Sequence, residues 1–136
     1  MKATIMCIGD EVLCGDVLNS NGTFFAKELT EIGIEVVKHV VVSDDEDMVE
    51  GAFYDAVKIS DLIITTGGLG PTLDDMTKEA IAKVTNRPLE ENEEARKHVE
   101  DYFIRKGKDY VLTPNNYSCL LYTSSVLRIY RRRSIS

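Results

Sequence analysis

Short apolar runs alternate with amphipathic stretches along most of the chain. Three of the runs, at residues 3–8, 34–42 and 61–66, are short and rich in β-branched side chains, which is typical of buried strands. Between and after them, apolar residues recur every three or four positions, a spacing that predicts helices. The resulting order is β-α-β-α-β-α-α. Short apolar strands alternating with amphipathic helices favour a sheet covered on both faces, so we expect a three-layer α/β/α fold with a mainly parallel sheet.

The first two predicted helices follow the first and second strands. Phe25, Leu29 and Ile32 recur at i, i+4 and i+7, which predicts that they share one face of the first helix. Ser43 and Glu46 have the spacing of a capping box, so the second helix is expected to begin immediately after Ser43.

The remaining two helices come after the third strand. Asp74 or Asp75 is placed to cap the third helix. The fourth is predicted over about residues 91–106, with Tyr102 and Phe103 on its apolar side.

Composition and charge exclude several classes of protein. Hydrophobic residues make up 43% of the chain, which supports a folded core, and no apolar stretch is long enough to span a bilayer. The net charge of -7 divides into -11 for residues 1–110, with 23 acidic and 12 basic side chains, and +4 for residues 111–136. An acidic body argues against nucleic acid as the main partner. Three cysteines without a CxxC spacing support no disulfide framework, so we expect a cytoplasmic protein with no membrane segment.

The end of the chain differs in kind from the rest. Residues 117–136 contain no acidic side chain, no glycine and no clean helical period. This segment is either a final strand at residues 125–130 with a basic end, or a non-native end, and the abrupt change in composition favours the second. We therefore predict a domain over residues 1–116 followed by a divergent tail.

Candidate chemistry lies in three loops that follow the three strands, at residues 9–21, 43–45 and 67–75. In an open parallel sheet, ligands bind beyond the carboxyl ends of the strands. The third loop has a glycine-rich turn close to a helix start, a combination that favours an anion such as phosphate. The same loops are rich in aspartate, so a divalent cation would have to bridge the carboxylates and the phosphate. The residues thus suggest a metal-assisted phosphate or diphosphate site.

Simpler interpretations remain open for each of these features. A glycine turn after a strand is often only a tight connection, and Asp74 and Asp75 are the kind of residue that caps a helix. Asn19 and Asn21 could simply cap the first helix. What favours a ligand site is that the acidic and glycine-rich segments fall at the same edge of the predicted sheet.

Three segments carry a resemblance to a known family. Residues 8–21, IGDEVLCGDVLNSN, resemble the GxELLxGxxxNTN opening of the competence/damage-inducible protein A (CinA) family. Residues 65–77, TTGGLGPTLDDMT, resemble that family's TGGLGPTxDDxT motif, and residues 113–116 match its TPNN segment. The resemblance covers about residues 1–116 and implies the fold of the molybdopterin-binding domains of the MoaB, MogA and MoeA type.

The resemblance also implies an activity and a set of site residues. In the CinA family this domain is associated with divalent-metal-dependent hydrolysis of ADP-ribose to AMP and ribose 5-phosphate. The superfamily's glycine-aspartate pattern maps onto the third loop up to Asp75, and a second aspartate maps onto Asp44. We therefore expect Asp75 and Asp44 to be catalytic and, with Asp74, to hold the metal. The expected phosphate contacts are Gly67, Gly68, Gly70, Thr72 and Thr77, and the expected sugar contacts are Asn19, Ser20 and Asn21.

The implied partners follow from that activity. The ligand would be a small nucleotide or pterin phosphate, the metal Mg²⁺ or Co²⁺ with a monovalent cation as a further candidate, and the assembly a homo-oligomer. Two alternatives are a domain that binds or transfers molybdopterin in molybdenum-cofactor biosynthesis, and a nucleotide-binding module without catalysis. Asp10 stands where many CinA relatives carry threonine and resembles the molybdopterin-transfer relatives instead.

Overall fold

The structure is a computed structural model that describes residues 1–70, 75–89 and 93–107. Within the last helix, the side chains of Glu94, Ala95 and Val99 lie outside this description. The elements in chain order are β1 (Lys2–Ile8), α1 (Asp10–Leu13), α2 (Ser20–Glu31), β2 (Glu35–Val42), α3 (Glu46–Ile59), β3 (Leu62–Thr66), α4 (Thr77–Thr85) and α5 (Glu93–Lys106).

The three strands form one parallel sheet in the order β2-β1-β3. Ile8 of β1 lies opposite Val42 of β2, and Cys7 of β1 lies opposite Thr66 of β3. The carboxyl ends of all three strands therefore meet at one edge. This arrangement confirms the predicted α/β fold.

Each face of the sheet is covered by helices and has its own apolar core. On one face, α2 contributes Leu29, which packs with Ala3 and Ile5 of β1. On the other face, α3 and α4 cover the opposite side of the same strands. The core on that face consists of Met6, Ile8, Val42, Val49, Phe53, Ala56, Ala80 and Ile81. Helices on both faces complete the three layers that the sequence predicts.

An ion-pair cluster also joins α3 to the far end of α4. Lys83 of α4 contacts Glu50 of α3, and its Nζ lies 3.3 Å from Oε1 of Glu46. Hydrogen bonds to Glu50 and then to Glu46 raise the pKa of the exposed Lys83. This end of α4 is therefore held by charged side chains at the surface.

The first loop differs from the prediction because it contains a helical turn, α1. The amide of Leu13 donates to the carbonyl of Gly9 at 3.0 Å, and that of Cys14 donates to the carbonyl of Asp10 at 2.9 Å. Four residues are too few to produce a recognisable apolar period.

The prediction for Ile32 is also wrong. Its side chain is 71% exposed, because the residue is the C-cap of α2 and has already left the helical conformation. Leu29 is buried and Phe25 is half-buried, as the period predicts.

The predicted helix caps need correction as well. Asp45, not Ser43, is the N-cap of α3, and its Oδ1 accepts a hydrogen bond from the amide of Met48 at 3.0 Å. Helix α4 begins at Thr77 after Met76, which makes no side-chain cap bond, so Asp75 is not the cap. The alternative cap, Asp74, lies outside the described residues.

The apolar side predicted for the last helix is only partly buried. In α5, Tyr102 is 53% exposed and Phe103 is half-buried, with the two rings in edge contact at a centroid distance of 5.5 Å. The predicted strand at 125–130 and the proposed tail lie outside the described residues, so the division at residue 116 stays a prediction.

Candidate functional site

The end of β1 connects the loops that follow all three strands. The amide of Gly9 donates to the carbonyl of Val42 at 3.0 Å, which joins the first loop to the second. On the other side, Gly67 lies directly against the carbonyl oxygen of Ile8, where any added Cβ would overlap that oxygen. The three loops are thus packed backbone against backbone at one edge of the sheet.

The glycine turn after β3 has a conformation that its sequence makes possible. Gly67 has φ +87° and Gly68 has φ +59°, values in the left-handed region that side chains disfavour. The amide of Thr77 donates to the carbonyl of Gly68 at 3.2 Å, and its hydroxyl donates to the carbonyl of Gly67 at 3.0 Å. Because Thr77 is fully buried, its hydroxyl supports the turn from behind instead of facing a ligand.

Asp75 lies beside the same turn. A Cβ on Gly70 would overlap the carboxylate of Asp75, so the backbone of the turn and this carboxylate are in close contact. Asp75 is half-buried. Gly70 and Asp75 are therefore neighbours in the structure. Thr72 and Asp74, which belong to the same predicted set, lie outside the described residues.

The first and second loops are joined by two aspartates that exchange hydrogen bonds. The amide of Asp10 donates to Oδ2 of Asp44 at 3.0 Å, and the amide of Asp44 donates to Oδ1 of Asp10 at 3.2 Å. We call this reciprocal pair the Asp10–Asp44 clasp. Asp44 is half-buried and Asp10 is exposed. The sequence pointed to Asp44 but not to this role of Asp10, since the two residues are paired only by the register of β1 and β2.

Asn19 is engaged within the protein at the start of α2. Its Oδ1 accepts from the amide of Gly22 at 2.9 Å, and its Nδ2 lies 3.0 Å from Nε2 of His39 on β2. The simpler interpretation of Asn19, a helix cap, describes these contacts. Ser20 and Asn21 are exposed on the first turn of α2, where a ligand could reach them.

Lys78 is a buried charge that the sequence analysis missed. Its side chain is 2% exposed, and its Nζ lies 2.7 Å from Oε1 of Glu79. A lysine is seldom fully buried unless it is paired. It lies in the first turn of α4, next to the residue that supports the glycine turn.

The carboxylates of the described residues would suit a divalent ion that takes only part of its coordination from them. Within residues 1–70, 75–89 and 93–107, no group of three or more His, Cys, Asp or Glu side chains is arranged to hold a metal. The described carboxylates offer the Asp10–Asp44 clasp and, on the third loop, Asp75. Mg²⁺ commonly binds one or two carboxylates and completes its coordination with water and substrate phosphates. Such an ion, but not a closed protein cage, is compatible with these residues.

No helix in the described part of the chain has both the length and the apolar character needed to cross a membrane.

The sequence and the fold both match known proteins. A CinA-like protein of Kosmotoga olearia is 46% identical over 116 residues, a match that covers 85% of this chain and 28% of the relative. A competence-damage inducible protein of Bacillus subtilis is 44% identical over 115 residues, with 85% of this chain and 27% of the relative covered. The chain thus spans little more than a quarter of the length of these curated relatives.

Solved structures give the same result. A CinA protein of unknown function from Thermoplasma acidophilum superposes with a TM-score of 0.73 at 37% identity, covering 85% of this chain and 66% of that one. The tungsten cofactor synthesizing protein MoaB of Pyrococcus furiosus superposes with a TM-score of 0.58 at 27% identity, covering 78% and 64%. The model of the family described as a probable molybdopterin binding domain matches residues 4–124. This chain therefore belongs to the family of probable molybdopterin binding domains.

Proposed function

We propose that this domain hydrolyses a nucleotide diphosphate such as ADP-ribose with the help of a divalent metal ion. The observation that carries the proposal is that the glycine turn lies against Ile8, while the next residue, Gly9, is hydrogen-bonded to the end of β2, so that the carboxylate-bearing first and second loops begin beside the turn. Backbone amides of glycine turns bind phosphate oxygens, and carboxylates beside them need a cation to balance the charge. The site offers both the glycine turn and the carboxylates.

The glycine turn would bind the diphosphate through its amides. The carbonyls of Gly67 and Gly68 are already hydrogen-bonded to Thr77, which fixes the direction of the turn. Gly70 has no side chain, so a ligand could approach its backbone closely, and it lies against the carboxylate of Asp75. In this proposal Thr77 would therefore position the turn. Thr72 would contact the phosphate directly.

The carboxylates of Asp75 and Asp44, with Asp74, would hold the divalent ion. A bound Mg²⁺ or Co²⁺ would neutralise negative charge on the diphosphate and lower the pKa of an attacking water. In the net reaction the water oxygen forms a bond to one phosphorus and the bridging P–O bond breaks. One hydrogen of the water goes to each of the two new terminal phosphates, of AMP and of ribose 5-phosphate, from which solvent can take it. Ser20 and Asn21, which are exposed at the start of α2, would contact the sugar.

The test is AMP release from ADP-ribose with Mg²⁺ or Co²⁺ present, before and after EDTA. Asp75→Asn should lower turnover by at least about 100-fold, since metal-site substitutions of this kind commonly cost that much. The matched control is Asp55→Asn, an exposed acid on α3 that pairs with Lys58, and it should retain turnover. Full turnover in a folded Asp75→Asn variant would overturn the assignment.

A second candidate is binding or transfer of a pterin phosphate. The family match favours it, because the matched family is described by molybdopterin binding. Binding of a pterin phosphate without any AMP release from ADP-ribose would support this function instead. Ligand-dependent stabilisation that requires no metal and yields no product would indicate a non-catalytic nucleotide-binding module.

A further inference from the structure

We propose that Asp10 is a positioning residue: its side chain holds the backbone of Asp44, and the carboxylate of Asp44, held in turn by the backbone amide of Asp10, is thereby directed toward the metal. The inference rests on the proposed function for the metal, but its geometry is independent of any ligand. Each aspartate of the Asp10–Asp44 clasp accepts a hydrogen bond from the other's amide, at 3.0 Å and 3.2 Å. The two carboxylates are thus fixed relative to both loops at once.

The clasp uses one oxygen of each carboxylate. Oδ2 of Asp44 and Oδ1 of Asp10 accept the two amide hydrogen bonds. A carboxylate has lone pairs on both oxygens, so the second oxygen of Asp44 keeps its capacity for a cation. Backbone amides that orient a metal-binding carboxylate are a common form of support around metal sites.

Joining the two loops does not by itself require the clasp. The strands before them already pair through Ile8 and Val42, and the amide of Gly9 donates to the carbonyl of Val42. Since Asp10 is exposed, its hydrogen bonds compete with water and should contribute little to stability. What the clasp adds is a defined direction for the carboxylate of Asp44.

The neighbouring Asp45 provides a matched comparison. It is also an acid in the second loop, but its Oδ1 accepts from the amide of Met48 and caps α3. Asp45→Asn keeps a good cap and removes one negative charge close to the site. It therefore reports how much of any effect arises from charge alone.

The experiment measures Co²⁺ affinity by calorimetry on the 136-residue chain. Asp10→Ala should weaken Co²⁺ binding by about 10- to 100-fold, the usual effect of removing support around a metal site. Asp10→Asn should stay within about twofold of the wild type, because its amide oxygen accepts the same N–H. Asp10→Thr, which supplies a hydroxyl acceptor, should fall between them. In metal-free protein, hydrogen exchange at the amide of Asp44 should be faster in Asp10→Ala than in Asp10→Asn.

The possible results separate this inference from the proposed function. If the wild type binds Co²⁺ and releases AMP while Asp10→Ala binds Co²⁺ equally well, the role of Asp10 is overturned and the proposed function stands. If Asp10→Asn loses as much affinity as Asp10→Ala, the positioning role is overturned, and Asp45→Asn then decides whether the loss arises from charge alone or from direct ligation by Asp10. A wild type that binds no Co²⁺ overturns both. Should Asp10→Ala fail to fold, Asp10→Asn and Asp10→Thr still decide between positioning and direct ligation.

Discussion

The two ends of α4 are held in place by different kinds of interaction. The first turn, next to the glycine turn, contributes Thr77 and Lys78, whose side chains are 0% and 2% exposed. At the other end, Lys83 is exposed and interacts with Glu46 and Glu50 of α3. One helix is therefore fixed by buried short-range contacts at the site and by surface charges away from it.

This difference indicates where the fold tolerates change. Surface ion pairs contribute little and are screened by salt, whereas buried hydrogen bonds and close backbone contacts leave an unpaired group or an overlap when they are altered. We expect substitutions at the site end of α4 to cost much more stability than substitutions at its far end.

The largest effect is expected at Gly67. Gly67→Ala places a methyl group on the carbonyl oxygen of Ile8 at φ +87°, and overlap with strain together should cost about 3 to 5 kcal/mol. Gly15 has nearly the same φ, +89°, but no atom of the described residues lies within 4 Å of an added Cβ. Gly15→Ala should therefore cost only about 1 kcal/mol. Urea unfolding of both variants gives their free energies of unfolding, and the difference between the two losses is the cost of the overlap with Ile8. Equal losses of stability would show that the contact with Ile8 is unimportant.

The next effect concerns the buried ion pair of Lys78. Glu79→Ala leaves the lysine without its carboxylate and should destabilise the domain by about 2 kcal/mol. Lys78→Met removes the buried charge itself and should be neutral or stabilising, since an apolar side chain of similar volume fits such a position. Thermal melting of the two variants tests the contrast. A large loss in Lys78→Met together with none in Glu79→Ala would contradict it.

A smaller effect is expected from the hydroxyl of Thr77. Thr77→Val leaves the carbonyl of Gly67 without this donor and should cost about 1 to 2 kcal/mol. The matched control is Thr30→Val on α2, whose exposed hydroxyl donates to the carbonyl of Ala26. We expect the control to change the free energy of unfolding by less than about 0.5 kcal/mol.

The smallest effect belongs to Lys83 at the far end. Its pKa is raised above the ordinary lysine value of 10.5 by Glu50 and Glu46, so its charged form is stabilised by folding. That contribution is complete below pH 10.5 and is lost as the pH rises through the higher folded value. The difference in urea midpoint between wild type and Lys83→Met should accordingly shrink above that pH and also at high salt. A difference that persists in both conditions would show that Lys83 acts through packing.

Periodic and local features of the fold were predictable from the sequence. The strands and long helices follow from apolar runs and periods, and Leu29 is buried where its period places it. The glycine turn was predictable because its signal lies in consecutive residues. The turn at α1 was not, since four residues carry no period.

The missed parts of the site depend on contacts between distant residues. Asp10 and Asp44 meet only because the register of β1 and β2 brings their loops together. Lys78 is buried because of the way α4 packs against the rest of the domain. Lysine is usually exposed, so the sequence does not indicate this burial. The cap at Asp45 was missed because Ser43 and Glu46 have the spacing of a capping box, whereas α3 begins only at Glu46 and is capped by Asp45.

The position of β1 in the centre of the sheet has a consequence for how the domain forms. β1 precedes both of its partners in the chain, and each pairing is parallel, so it must wait for β2 and β3 to be synthesised. Until then its nearly continuous apolar stretch, Ala3 to Ile8, has no neighbouring strand. Parallel pairing across long connections is slow compared with local helix formation. During translation, the strand that ends at the site is therefore an apolar segment that stays without its sheet partners until β2 and β3 have been made.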